Sequence, residues 1–287
     1  NPKIILASIS GFGQSGPYRQ YMGYGPSAIV MTGLSHATGF SDGPPEEFGP
    51  ATADPTGGIT AAWGIVTALE KRDRLGEGDY LDISLWEASA VLGIEGWMHY
   101  ALTGTEPPRQ GNRDETMAPH GCYPCIGDDE WVSIACACDE DWCRLATLID
   151  EDLEKDARFA SLIDRKQNED MLDEIIGDWT SVRDRWEITH ELQSHGIAAF
   201  PSLSTADVIN DPNLNEWGYI ERLDHPVVGK RAHTVIPWRF SRRPNGVRSS
   251  APCLGQDTDR LLEEILGMSP GEIGRLRASG ALGDMNN

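Results

Sequence analysis

Ala53-Asp54-Pro55-Thr56-Gly57-Gly58 runs directly into Ile59-Thr-Ala-Ala-Trp-Gly-Ile-Val-Thr-Ala-Leu-Glu-Lys-Arg72, and this stretch decides the fold. Asp54 followed by Pro55 reads as an N-cap and a first helical residue, because the cap carboxylate accepts amide hydrogen bonds and proline needs no amide partner there. Ile59, Ala62, Trp63, Val66 and Leu69 recur with helical periodicity. Lys71, Arg72 and Arg74 place positive charge at the helix's negative end. Gly76-Glu-Gly78 then turns the chain into Tyr80-Leu-Asp-Ile-Ser-Leu85, which alternates as a strand does.

Working outward, Lys3 to Ser10 (KIILASIS) is a β-branched apolar run that ends in Gly11-Phe12-Gly13-Gln14-Ser15-Gly16-Pro17. A strand before the helix and a strand after it give a β–α–β unit. Gly11, Gly13 and Gly16 fit G-x-G-x-x-G, but Pro17 follows at once and no helical pattern opens, so they read as a loop and not as a dinucleotide fingerprint. Helices are expected from Pro26 to Leu34 and from about Trp86 to Leu102, with a Gly- and Pro-rich acidic loop from Gly39 to Pro50 between them.

Thr103 to Pro119 is polar and proline-bearing and reads as a linker. Gly121 to Cys138 reads as a hairpin turning at Gly127-Asp128-Asp129. Asp139 to Trp186 is acidic amphipathic helix, and His195-Gly196-Ile-Ala-Ala-Phe-Pro201 is a helix stop and a strand. Asp207 to Asn215 is a short helix broken at Asp211-Pro212, Arg222 to Val235 is extended, and Asp257–Leu266 and Pro270–Ser279 are two further helices. The expected class is α/β. Residues 1–105 form part of a large domain, 106–118 a linker, 119–204 a small α+β domain, and 205–287 a C-terminal segment returning to the large one.

The 287 residues carry 45 acidic and 24 basic side chains, a formal charge of −21. Such a surface repels nucleic acid and anionic membranes, whose binding depends on cations. No apolar run reaches the length of a membrane span. The six cysteines are few for a disulfide framework, and a reducing, cytoplasmic setting is expected. Cys122, Cys125, Cys136, Cys138 and Cys143 cluster in sequence, but not at zinc-ribbon spacing, so they read as structural thiols and no metal site is expected.

Among chemistry-bearing residues, Asp54 has two readings. As a cap it contributes about 1 kcal/mol. As a nucleophile it is a fixed carboxylate at a positive helix end, beside Gly57 and Gly58, which lack the side chains that would keep a ligand off the backbone. Asp42, in Ser41-Asp-Gly-Pro-Pro45, is a rival carboxylate whose setting reads as a solvated turn. Arg109, Arg113, Arg239, Arg242 and Arg243 are the obvious anion binders, though each alone is more often a surface ion pair.

Ile4 to Pro17, Gly23-Tyr24, Ala53 to Gly58, Gly64 to Arg72, Gly76 to Leu85, Pro119-His-Gly-Cys-Tyr-Pro-Cys125, Asp211-Pro212 and Ala251-Pro-Cys-Leu-Gly-Gln-Asp-Thr-Asp259 together resemble the class III CoA-transferase family, the CaiB/BaiF type. The likeness runs in order along nearly the whole chain. It implies a Rossmann-like large domain, here incomplete at its N-terminus, because members begin with a further strand–helix segment ahead of the Asn1-Pro2 stretch. Either the chain is a fragment or a partner supplies that segment.

The resemblance also implies CoA transfer from an acyl-CoA to a small carboxylic acid, with Asp54 as the nucleophile forming covalent aspartyl intermediates. Tyr24, Gly57, Gly58 and His120 would contact substrate or CoA. CoA is then a substrate and no cofactor is permanently bound. The family's interlocked homodimer is the implied assembly. Two alternatives stay open: an α-methylacyl-CoA racemase or epimerase, and a non-catalytic CoA-transferase-like subunit. The family's racemases carry a histidine near the position of Tyr24, and a phenol is a poor base at neutral pH, which favours transfer. Where some members have a glycine-rich loop, this chain has Glu115-Thr-Met-Ala-Pro119.

Overall fold

The first of two units, Asn1–Pro201, begins with β1 (Ile5–Ser10). The chain turns through Gly13 and Gly16, both at positive φ, and no helix opens at this glycine triplet. Two short helices follow, α1 (Gly25–Val30) and α2 (Leu34–Ala37), and then the long α3 (Ala53–Leu75). Left-handed Gly76 closes α3 by donating its amide to the Arg72 carbonyl at 2.7 Å. β2 (Asp79–Ser84) returns parallel to β1, in register from Ile5 opposite Asp79 to Ser10 opposite Ser84. A computed structural model supplies these coordinates and describes residues 1–47, 49, 52–242 and 246–283; Pro50 and Arg243 thus lie outside the described residues.

Two local expectations are corrected here. The helix starts at Ala53, not after Asp54, and its first i→i−4 bond runs from the Thr56 amide to the Thr52 carbonyl at 3.3 Å. Asp54 is therefore a first-turn residue and not the cap. Pro55 is tolerated within that turn because first-turn amides have no intrahelical partner to lose. The helix expected over Trp86–Leu102 is interrupted. α4 (Leu85–Ala90), capped by Ser84, gives way to a 3-10 turn at Val91–Gly93 before α5 (Ile94–Thr103). Gly93, a weak helix former, sits at the break.

The periodic stripe of α3 is not its buried face. Ala53, Gly57, Ala61 and Ala68 are buried, whereas Ile59, Trp63 and Val66 are 73%, 78% and 66% exposed. Small residues let the helix lie close to its neighbours: a methyl group added at Gly57 would collide with the Leu85 side chain. The core here is small, formed by Ala28, Ile29 and Ala53 with Leu34, Leu85 and Trp86 against it.

The remainder of the unit is an antiparallel sheet of β3 (His120–Pro124), β4 (Trp131–Ala135) and β5 (Ala198–Pro201), in that order. The β3–β4 hairpin turns where expected, with Gly127 and Asp129 at positive φ. Helices α6 (Asp139–Ile149), α7 (Leu162–Gln167), α8 (Glu169–Ser181) and α9 (Arg185–Ser194) lie between β4 and β5 in the chain. Their inward faces supply Trp142, Leu145, Leu172, Ile176, Ile188 and Leu192, which pack with Phe159, Val132 and Ile134 into a continuous core. Arg165 is buried within it, bonded to the carbonyls of Ala118 and Phe159 and to Asp139, with its guanidinium over the Trp142 ring.

The second unit, Ser202–Asn287, contains α10 (Thr205–Asn210), α11 (Pro212–Glu216), the antiparallel pair β6 (Ile220–His225) and β7 (Gly229–Thr234), α12 (Thr258–Leu266) and α13 (Pro270–Ala278). The helix break at Asp211-Pro212 forms as read: the Asp211 side chain caps α11. Among the described residues no helix is long and apolar enough to cross a membrane.

Candidate functional site

The loop after β1 is shaped by rings. Phe12 meets Tyr18, Tyr21 and Trp86 edge-on at 5.9–6.4 Å, and Tyr18 stacks on Tyr21 at 4.6 Å. The Gln14 amide is held by both carboxylate oxygens of Asp82 at 3.0 Å. Gly23 lets the chain pass Phe12, since a methyl group there would come within 3.0 Å of the ring. The loop thereby delivers Tyr24 and Gly25 to the start of α1.

Gly25 faces Asp54. A methyl group built on Gly25 would stand 2.7 Å from Asp54 Oδ1, 2.9 Å from Cγ and 3.1 Å from Oδ2. The Asp54 carboxylate thus rests against the backbone of α1 while the residue remains exposed. Among the described residues no ion pair or hydrogen bond engages it. Of the two readings of Asp54, the cap is ruled out, because Thr52 holds that position. Tyr24, one residue away, is 84% exposed and donates its amide to Ser27 Oγ at 3.4 Å. Gly57 is spent on the Leu85 contact, whereas Gly58 has nothing within 4 Å of its missing side chain and opens to solvent. Asp42 sits exposed in its turn, where the Gly43 amide meets the Phe40 carbonyl at 3.1 Å.

His120 belongs to a different place. It heads β3, half-buried, and its Nδ1 lies 2.6 Å from the Asn112 carbonyl. A carbonyl only accepts, so Nδ1 carries the proton and Nε2 is the accepting nitrogen of the neutral ring. His120 lines a cavity of about 800 Å³ with Asp42, Arg113, Tyr123, Lys166 and Asp173; Tyr24, Asp54, Gly57 and Gly58 do not border it. The structure therefore brings Tyr24, Gly57 and Gly58 to the neighbourhood of Asp54 and does not bring His120 into a shared cavity with them.

The arginines read as anion binders are largely engaged by the protein itself. Arg109 donates to the carbonyls of His36 and Gly43 at 3.0 and 3.1 Å, binding the 36–43 loop. Arg113 lies against Asp170, Asp173 and Glu169. Burial alone would lower its pKa, but these carboxylates outweigh burial and raise it. Tyr123 donates to Asp173 at 2.8 Å, and burial first, then that carboxylate, raises the phenol. In the second unit, Arg239 covers the Trp217 ring at 4.4 Å. Arg242 is exposed.

Burial pushes the Cys136 thiol up to about 12 and the Cys125 thiol up to about 11. Both are packed in the core of the β3–β5 region. Among the described residues no group of three or more potential ligands is placed to hold a metal ion.

Gly25 and the ring cluster of Phe12, Tyr18, Tyr21 and Trp86 are the parts of the site missed by sequence reasoning. The available signal was the pair of glycines flanking Tyr24 in Gly23-Tyr24-Gly25.

A parallel β–α–β unit with an exposed carboxylate in its helix's first turn, joined to an antiparallel α+β region, defines a mixed α/β protein. The crystal structure of a CaiB/BaiF family protein from Brucella suis matches this fold with a TM-score of 0.83 at 31% identity, covering 92% of this chain and 68% of that one. Residues 1–258 match CoA-transferase family III, and the chain belongs to that family of enzymes, whose members act on acyl-CoA substrates. Succinyl-CoA–D-citramalate CoA-transferase of Chloroflexus aurantiacus is 31% identical over 280 residues, 97% of this chain and 69% of that protein. Formyl-CoA:oxalate CoA-transferase of Streptomyces coelicolor is 30% identical over 299 residues, 98% of this chain and 72% of that protein.

Proposed function

We propose that the protein moves CoA from an acyl-CoA donor to a small carboxylic acid through Asp54. The observation that carries this reading is the exposed Asp54 carboxylate, set in the first turn of α3 against a side-chain-free surface at Gly25. A carboxylate oxygen attacks the thioester carbonyl carbon, the C–S bond breaks, and CoA leaves as thiolate with an acyl–aspartyl anhydride behind it. The thiolate then attacks the aspartyl carbon, releasing the donor acid and leaving an aspartyl-CoA thioester. The acceptor carboxylate attacks that thioester, forming a second anhydride and freeing the thiolate once more. Attack of this thiolate on the acceptor's acyl carbon gives the new acyl-CoA and restores Asp54.

In this scheme the open backbone at Gly58 and the exposed Tyr24 are on the approach side of the thioester, and Gly57 fixes the helix beneath them. His120, which lines a separate cavity, takes no part in this scheme. The relatives named above are both CoA-transferases, which supports transfer over racemisation. The apolar residues exposed on α3 and α5, Trp63 and Trp97 among them, support a homodimer, and sedimentation of the complete gene product as a monomer would remove that part of the reading.

The test is Asp54→Asn and Asp54→Ala in the complete gene product, with a panel of acyl-CoAs and hydroxylamine. Loss of the nucleophile is expected to lower turnover at least ~10³-fold with CoA binding retained, and the wild type should yield a hydroxamate on the Asp54 peptide. Unchanged turnover, or trapping on another carboxylate, rejects the proposal. Deuterium entering the α-carbon without CoA exchange would instead establish the racemase.

A further inference from the structure

We propose that Gly25 is a positioning residue for Asp54: its missing side chain is the seat that holds the carboxylate in the direction of attack. This rests on the reading of Asp54 as nucleophile and adds to it the group that aims it.

Two ordinary reasons demand glycine, a positive φ and close packing, and neither applies at this position. Gly25 is not among the residues at positive φ, so the backbone does not demand it. Nor would a side chain strike rigid packing. At Gly78 an added methyl group would fall on the backbone of Ile4, and at Gly57 on the packed Leu85 side chain. At Gly25 the three nearest atoms are all in the Asp54 carboxyl group, at 2.7, 2.9 and 3.1 Å. That group is the far end of a rotatable side chain, and the fold would accommodate a methyl group by turning it away. Glycine also opens α1 at a position where alanine is the better helix former. The residue is therefore poor for the helix, unnecessary for the backbone, and required only if the carboxylate must stand where it does.

Attack on a thioester carbonyl needs the oxygen at close range and in line with the carbonyl carbon's vacant direction, and a displacement of about 1 Å costs on the order of 10²-fold in rate. Gly25→Ala is accordingly expected to lower kcat about 10²-fold, to leave KM within a few-fold, to slow hydroxylamine trapping at Asp54 in proportion, and to leave the melting midpoint where it was. The same substitution in an Asp54→Ala background has no carboxylate to displace, and there too the midpoint should not fall.

These measurements on the complete gene product separate the possibilities. If Asp54→Asn keeps full turnover, the nucleophile assignment fails, whatever Gly25 does. If Asp54 is required but Gly25→Ala turns over like the wild type, the seat alone is overturned. A melting midpoint that falls with Gly25→Ala, in either background, also overturns it, because the glycine would then be serving packing. A lower kcat with unchanged KM and midpoint upholds it.

Discussion

The two parts of the first unit manage their large apolar side chains in opposite ways. Residues 120–201 bury Trp142, Phe159, Leu145, Leu172, Ile176, Ile188 and Leu192 completely. In residues 5–103 the buried positions of α3 are alanines and a glycine, while Trp63 and Leu102 stand 78% and 82% exposed. Burying one side chain of leucine size contributes roughly 1.5–3 kcal/mol, so the first region carries its own stabilisation and the second leaves much of its potential unrealised. The candidate nucleophile lies on the second. Its helix is held by close approach of small residues, which fixes distances well, and not by bulk.

The sharpest way to break this contrast is Arg165→Ala. The change removes the buried donor to the Ala118 and Phe159 carbonyls and to the more exposed Asp139. With two buried carbonyls left without their donor, at roughly 1–3 kcal/mol each, it should cost about 3 kcal/mol in a denaturant titration followed by tryptophan fluorescence. An unmoved midpoint would mean that this region is not the self-supporting one.

An effect of comparable size depends on pH. The folded Cys136 thiol is pushed up from 9.0 to about 12 by burial. Its contribution is complete below about pH 9. Above that the unfolded thiol ionises while the folded one does not, so stability falls through the window from about 9 to 12, at up to ~1.4 kcal/mol per pH unit. Cys125 acts in the same direction. Urea midpoints measured across this window should decline, and Cys136→Ala should flatten the decline.

The smallest expected change sharpens the comparison from the other side. Trp63→Gln, on the exposed stripe of α3, should shift the stability of the chain alone by no more than about 0.5 kcal/mol. A loss of 2 kcal/mol or more from the single chain, in the range of a truncated core side chain (roughly 2–5 kcal/mol), would show that this tryptophan is already buried within the chain itself and would erase the difference between the two regions.

Much of the secondary structure was legible because its causes are local. The β3–β4 turn at Gly127–Asp129, the stop at His195-Gly196, the cap at Asp211 and the left-handed Gly76 all depend on residues within a few positions of one another. The site was legible in part. Asp54 stood out by type and by its Pro-Thr-Gly-Gly context, and the structure leaves it exposed and beside Tyr24's loop. His120 looked like a companion in sequence, yet it lines a separate cavity. Arg109 and Arg113 looked like anion binders, and each is engaged by groups that approach from distant parts of the chain.

The order of helices and strands, the parallel pairing around α3 and the family to which the chain belongs follow from the sequence, through short-range backbone preferences and a run of motifs in fixed order. Which face of α3 is buried, and what the Asp54 carboxylate rests on, were decided only in three dimensions. Periodicity records that a helix has an apolar stripe, but not which neighbour can come close enough to cover it. Gly25 and Asp54 meet because a ring-packed loop carries one strand's exit to another element's start, and no pattern confined to neighbouring residues encodes that approach.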